Sequence, residues 1–344
     1  MLAVVLESKG VVALRDFGVE EHLGPNDVRI AISHVGICGS DVHYFQHGNI
    51  GDFVVREPMV LGHEASGTVT EVGASVIHLQ VGDTVCMEPG IPDFSSIETL
   101  EGMYNLDPSV RFWATPPIHG CLRESVVHPA SLTFKLPENV SPEEGALVEP
   151  VSIGVYSAKV AEIEPADTAL VIGAGTIGLV TALGALASGC SQVIVSDIKE
   201  EKLDLVRKFY GNKLVCINSA KENLLEAVQK VAPRGVDILF EASGAPDVLK
   251  DFTRYVCPGG KAVLIGMPVG PVLFDVVGAQ AKEISIKTIF RYRNMYPRTL
   301  NLISSGALEV KPLVTHRYEM RDAVEAFRFA ASAPADAIKV MVSL

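Results

Sequence analysis

Six consecutive residues, Gly173-Ala174-Gly175-Thr176-Ile177-Gly178, restrict this chain more than any others. A short apolar run at 168–172 precedes them, and a stretch of small and apolar residues follows. The order reads as strand, tight turn, helix. Gly173 permits the turn, Gly175 lets backbone approach a pyrophosphate, and Gly178 lets helix and strand pack closely. Thr176 and Ile177 complete the turn, and the N-terminus of the helix expected from Leu179 onward offers free N–H groups to negative oxygens. Glycines in an ordinary helix-packing turn would give the same string, so the strand before it and the helix after it carry the weight. Asp197 closes the next strand, 19 residues beyond Gly178. A carboxylate there accepts hydrogen bonds from ribose hydroxyls and repels a 2′-phosphate, which points to NAD. It would equally serve as a cap for a helix beginning near Glu200. Lys199 beside it would suit a phosphate.

The surrounding rhythm agrees. Strands are expected at 192–196, 214–217, 236–240 and 262–265, with helices at 200–210, 222–231 and 246–255. Such alternation builds a doubly wound parallel sheet with helices on both faces, here over residues 149–278. Residues 1–148 read differently, as short strands and glycine turns with alternation at 28–32 and 66–72. Residues 89–117 form a long lobe rich in loop formers. Residues 279–344 carry a β-rich run at 284–292, helices at 297–305 and 320–330, and a last strand at 338–342. A chain can leave one domain, build another and return. The organisation expected is therefore 1–148 plus 279–344 as one domain, interrupted by 149–278.

Composition narrows the function classes. A chain of 344 residues exceeds one ordinary core and suits two domains. Its net charge of -12 opposes binding to nucleic acid or an anionic membrane. The most apolar helix-like segment, 177–187, is too short and glycine-rich to span a bilayer. No secretory leader pattern opens the sequence, and its six cysteines show no repeated close pairing. A reducing, cytoplasmic setting is expected.

Cys38, His63 and Glu149 supply a thiolate, an imidazole and a carboxylate. Their spacing matches no compact metal finger, and a lone cysteine is more often a small buried hydrophobe. The strings around them are more specific: Cys38-Gly39-Ser40-Asp41-Val42-His43-Tyr44, Gly62-His63-Glu64-Ala65, Tyr104-Asn105-Leu106, Phe112 with Ala114-Thr115-Pro116-Pro117, and Phe290-Arg291-Tyr292. With these, nearly the whole chain resembles the zinc-containing medium-chain dehydrogenases, in particular their sorbitol and xylitol dehydrogenase branch.

The resemblance implies an α/β architecture in which a GroES-like, strand-rich catalytic domain is interrupted by a Rossmann domain. It implies a catalytic zinc on Cys38 and His63, with Glu64 beside the metal directly or through water and Glu149 as a further metal-site acid. Zinc with an open position acts as Lewis acid on an alcohol, and hydride then passes to NAD. Ser40 and His43 resemble the family's proton relay, and Asp41 would orient His63. Tyr44, Phe112, Thr115, Arg291 and Tyr292 match positions lining the polyol pocket. The expected reaction is oxidation of xylitol to D-xylulose, with sorbitol (L-iditol) or another polyol or vicinal diol as the alternative substrate. A silent NAD-binding sensor on the same scaffold would have no chemical reason to keep Cys38, His63, Glu64, Glu149, Ser40 and His43 together.

One departure stands out. Many relatives hold a second, structural zinc with four cysteines; those positions are Asp93, Ser96, Thr99 and Asp107 here. Carboxylates and hydroxyls make a poor closed zinc site, so one zinc per chain is expected. Apolar residues Ile91, Phe94, Ile97, Leu100, Met103 and Leu106, with Tyr104, are expected to pack that lobe back onto its domain. A homotetramer is expected from the resemblance, with the apolar stretches 269–277 and 284–290 as candidate surfaces.

Overall fold

The computed structural model describes residues 1–268 and 270–344. Val269, at the head of one stretch expected to serve assembly, lies outside the described residues. The chain divides into two compact units: residues 1–149 with 296–304 and 310–344, and residues 150–295 with 305–309.

The first unit is built on a seven-stranded sheet. Its path runs Thr133–Lys135, Thr84–Met87, Glu64–Val72, Asp27–Ile37, Lys339–Ser343, Val314–Glu319, and Ser125–Pro129 pairs with Asp27–Ile37 off that path. The long strand Asp27–Ile37 alternates buried and partly exposed residues, as a half-buried strand should. Val28, Ile30, Val35, Leu61, Val69, Val85 and Phe327 belong to the core beneath it. Because Lys339–Ser343 pairs antiparallel with Asp27–Ile37, the last strand of the chain lies against the strand that leads into Cys38.

The second unit holds a six-stranded parallel sheet in the order Val215–Asn218, Gln192–Asp197, Thr168–Ile172, Val236–Glu241, Val256–Leu264, Ser285–Thr288. That is the doubly wound order, with its reversal between Thr168–Ile172 and Val236–Glu241, where such sheets bind ligands at the strand carboxyl ends. Leu170, Ile194, Leu239 and Ala262 are fully buried in its core. The continuous apolar runs in these strands follow from burial on both faces.

One boundary differs from the sequence expectation, and the other falls in an unexpected element. Ser285–Thr288 pairs parallel with Val256–Leu264, so residues 279–295 belong to the second unit and the return comes after Met295. The outgoing crossing lies inside a 20-residue helix, Pro142–Ala161, that sequence reading did not anticipate. Pro150 inside that helix and its nearly uniform apolar character hide its period. No helix among the described residues is long and apolar enough to cross a membrane.

Candidate functional site

The strand Asp27–Ile37 ends directly before Cys38, which caps the helix Gly39–His47. Asp41, in that helix's first turn, accepts from the Cys38 N–H at 3.1 Å and from the Gly62 N–H at 3.0 Å. One buried carboxylate thus joins the two segments that carry Cys38 and His63. Asp41 Oδ1 stands 3.7 Å from His63 Nδ1, an electrostatic approach longer than a hydrogen bond. Glu64 begins the next strand, Glu64–Val72, opposite Gly36. Glycine leaves room for that carboxylate: a Cβ on residue 36 would stand 2.1 Å from Glu64 Oε2 and displace it. Ligand atoms of Cys38, His63 and Glu64 all lie within 4.8 Å of one another. Glu149 is buried and charge-coupled to Lys339, yet it is outside that tight group.

Lys339 is the residue sequence reading missed. It is buried, and its ammonium donates to Glu64 Oε1 at 2.7 Å, Glu64 Oε2 at 2.8 Å and the Ile37 carbonyl at 3.1 Å. Burial works against its charge, but Glu64, Cys38 and Glu149 outweigh this and raise its pKa. Burial likewise opposes charge on His63, yet Asp41 and Cys38 together hold its pKa well above the usual value. Glu64 and Glu149 are thus buried near one buried ammonium, and Asp41 is buried beside His63. Charges so placed must be neutralised. A divalent cation at Cys38, His63 and Glu64 would do this, and a soft thiolate with imidazole and carboxylate is a donor set suited to zinc.

Further along the same helix, His43 Nδ1 lies 2.8 Å from the Asn49 carbonyl. Ser40, His43 and His47 share one helical face by their spacing. His43 is half-buried and His47 exposed, their rings 4.5 Å apart. Tyr44, one residue on, is buried in the core. The Phe112 ring stands 5.5 Å from the His63 ring, and Thr115 N–H donates to the Phe112 carbonyl. Arg291 and Tyr292 belong to the second unit, not to the domain expected for them. Tyr292 is buried, and the Arg291 guanidinium lies 4.8 Å from the Phe290 ring centroid.

In the lobe, the four expected metal-free positions bond to one another. Asp107 Oδ2 accepts from the Asp93 N–H at 2.6 Å, while Ser96 Oγ donates to Thr99 Oγ1 at 2.9 Å and accepts from the Thr99 N–H. The expected apolar packing is found only in part: Ile91, Met103 and Tyr104 are partly buried, but Phe94, Ile97, Leu100 and Leu106 are 57%, 69%, 73% and 46% exposed. Short polar side chains satisfy this turn-rich backbone locally, which leaves the apolar ones free to face outward.

In the second unit the glycine turn follows Thr168–Ile172 and opens the helix Thr176–Ala187, with Gly175 as its cap. Gly173 has φ of +106°, and a Cβ on Gly178 would stand 1.8 Å from the Gly173 carbonyl oxygen. Both are positions only glycine serves. Asp197 Oδ2 accepts from the Ala174 N–H at 2.7 Å and Oδ1 from the Lys199 N–H at 2.9 Å. Its carboxylate therefore ties the turn to the end of the neighbouring strand. Lys202, also missed, places its ammonium 3.9 Å from where a Gly175 Cβ would be. Glu241 closes Val236–Glu241, and its Oε1 accepts from the Ser243 N–H and the Gly244 N–H. It fixes the turn that packs on Gly173.

A doubly wound sheet with a phosphate-type turn, beside a strand-rich unit with a thiolate, imidazole and carboxylate cluster, defines a nicotinamide-linked, metal-dependent class of oxidoreductase. Residues 24–138 match the alcohol dehydrogenase GroES-like domain, and residues 176–305 match the zinc-binding dehydrogenase family. The chain belongs to this zinc-binding alcohol dehydrogenase family. It is 56% identical to a D-xylulose reductase of Morganella morganii over 96% of this chain and 98% of the relative. It is 42% identical to the sorbitol dehydrogenase of Rattus norvegicus, covering 96% of this chain and 92% of that one. Among solved structures, the 2R,3R-butanediol dehydrogenase of Bacillus subtilis superposes with a TM-score of 0.90 at 27% identity, covering 100% and 99% of the two chains.

Proposed function

We propose that this chain is an NAD-dependent zinc polyol dehydrogenase that interconverts xylitol and D-xylulose. The approach of Cys38, His63 and Glu64 to within 4.8 Å carries the reading, and the similarity to a D-xylulose reductase supports the substrate. Cys38 and His63 would hold the metal, with Glu64, bonded to Lys339, at the same site and Glu149 as a further acid. Bound zinc would supply Lewis acidity toward the substrate oxygen, and NAD would be the hydride acceptor. The Asn49 carbonyl only accepts, so His43 Nδ1 carries a hydrogen and Nε2 is left to take a proton passed on by Ser40. The exposed His47 continues that face toward solvent. Tyr44, Phe112 and Thr115 are assigned to the polyol pocket, and Arg291 and Tyr292 are assigned to the polyol on the resemblance.

Gly173, Gly175, Thr176, Ile177 and Gly178 receive the pyrophosphate, while Asp197 and Lys202 receive the adenosine ribose. One zinc per chain fits a lobe whose former cysteine positions are bonded to one another. A homotetramer is proposed on the resemblance. The exposed Leu273, Val276 and Val277, and the edge position of Ser285–Thr288, support a surface for it. The six unpaired cysteines agree with a cytoplasmic setting. Initial rates with NAD on xylitol, sorbitol, arabinitol, 2,3-butanediol and threonine test the assignment. Xylitol should give the highest kcat/KM. A higher value for another substrate would replace xylitol, and no NAD reduction with any polyol would remove the function itself.

A further inference from the structure

Glu88 follows the strand Thr84–Met87 and is buried, although it takes no part in the cluster of Cys38, His63 and Glu64. Its backbone is fixed on both sides: the N–H donates to the Leu132 carbonyl at 2.9 Å, and the carbonyl accepts from His128 Nε2 at 2.9 Å. Its side chain Oε1 accepts from the Tyr104 hydroxyl at 2.6 Å. Burial pushes the Glu88 pKa up to about 7, against the pull of the Tyr104 hydroxyl and with the push of the Glu149 charge. A buried carboxyl is costly, and an apolar residue would serve packing alone.

What Glu88 reaches is the lobe. Tyr104 sits in the single turn Tyr104–Leu106, on the way to the returning strand Arg111–Phe112. The two residues after Glu88 hold that strand from the other side. The Pro89 carbonyl accepts from the Trp113 N–H at 3.2 Å, and Gly90 pairs antiparallel with Phe112. The Phe112 ring lies over Gly90, where a Cβ would meet its Cδ2 at 3.2 Å. The centroid of the same ring lies 5.5 Å from that of the His63 ring.

We infer that Glu88 is a positioning residue for the substrate pocket: through Tyr104 and the adjoining Gly90 it fixes Phe112 over His63, and so sets the room left for the polyol chain. This rests on the reading of Phe112 as a pocket wall. Glu88→Ala and Tyr104→Phe each release the lobe and should raise the KM for polyol severalfold by loosening the pocket wall, with kcat and the KM for NAD changed far less. Glu88→Gln keeps an oxygen acceptor for Tyr104 and should return most of the affinity. Gly90→Ala crowds the ring, where a Cβ would meet Cδ2 at 3.2 Å, and should change the ratio of kcat/KM for five-carbon over six-carbon polyols about fivefold or more. Zinc content and melting temperature, read on the same samples, identify a variant that has lost its fold; Tyr104→Phe, which removes one oxygen, then decides. If Glu88→Ala and Tyr104→Phe match wild type in polyol KM, or lower kcat and raise both KM values together, the inference is overturned. Wild type runs beside them. If it oxidises no polyol, the functional reading fails separately, and the four variants are compared on whichever alcohol it does oxidise.

Discussion

Replacing Lys339 with methionine tests the charge balance of the site most severely. The substitution keeps much of the side-chain volume and removes one ammonium with three acceptors: both Glu64 oxygens and the Ile37 carbonyl, at 2.7, 2.8 and 3.1 Å. The partners are 3% and 1% exposed, so solvent does not screen the loss. Removing one member of a buried pair typically costs about 3–5 kcal/mol, mostly because the other is left charged without a partner. Neutral replacement of both is often nearly free, so Glu64→Gln in the Lys339→Met background should recover more than half of that loss. Bound zinc gives Glu64 a second cation, so the loss should be larger after chelation than before. Urea unfolding of the four proteins, with and without chelator, measures all three terms. A cost below about 1 kcal/mol for Lys339→Met, or an equal cost with Gln at position 64, would refute the reasoning.

Cys38→Ser and His63→Ala should each lose bound zinc and most turnover while circular dichroism stays unchanged; metal analysis and NAD reduction check this. Asp197→Ala should narrow the preference for NAD over NADP, measured as the ratio of kcat/KM for the two, because the carboxylate that repels a 2′-phosphate is gone. That variant should also lower the melting temperature slightly, since the Ala174 and Lys199 N–H groups lose their acceptor. Chelation should abolish activity yet leave residues 90–117 as resistant to limited proteolysis as before, because that lobe is braced by Asp93, Ser96, Thr99 and Asp107. Rapid cleavage confined to the lobe would contradict this.

The parts of the molecule legible in its sequence are those whose logic is local. The helix Glu200–Tyr210 carries its period in Leu203, Val206 and Tyr210, and the turn at Gly173–Gly178 carries its steric demands in its glycines. The cluster of Cys38, His63 and Glu64 was legible only through resemblance, since 25 residues separate the first two and no spacing rule joins them. Lys339 was not legible at all. It lies 275 residues from Glu64, and a lysine in an apolar terminal strand reads as a snorkelling or solvent-facing residue until the pairing with Asp27–Ile37 brings it inside. The lobe misled for the opposite reason. Its apolar residues invited a packing argument, whereas short polar side chains closing their own turns hold it. The missed helix Pro142–Ala161 shows the limit of periodicity in a segment apolar on most sides and interrupted by proline.

On the function proposed above, one metal ion held by Cys38, His63 and Glu64 is what lets this chain oxidise a polyol with NAD. The direct measurement is zinc analysis of the purified protein, followed by chelation and stepwise return of zinc while NAD reduction by xylitol is followed. The purified protein should hold one zinc per chain, lose all NADH formation on its removal, and recover activity that saturates at one equivalent. Turnover that persists in metal-free protein, or recovery that needs two equivalents, would contradict it.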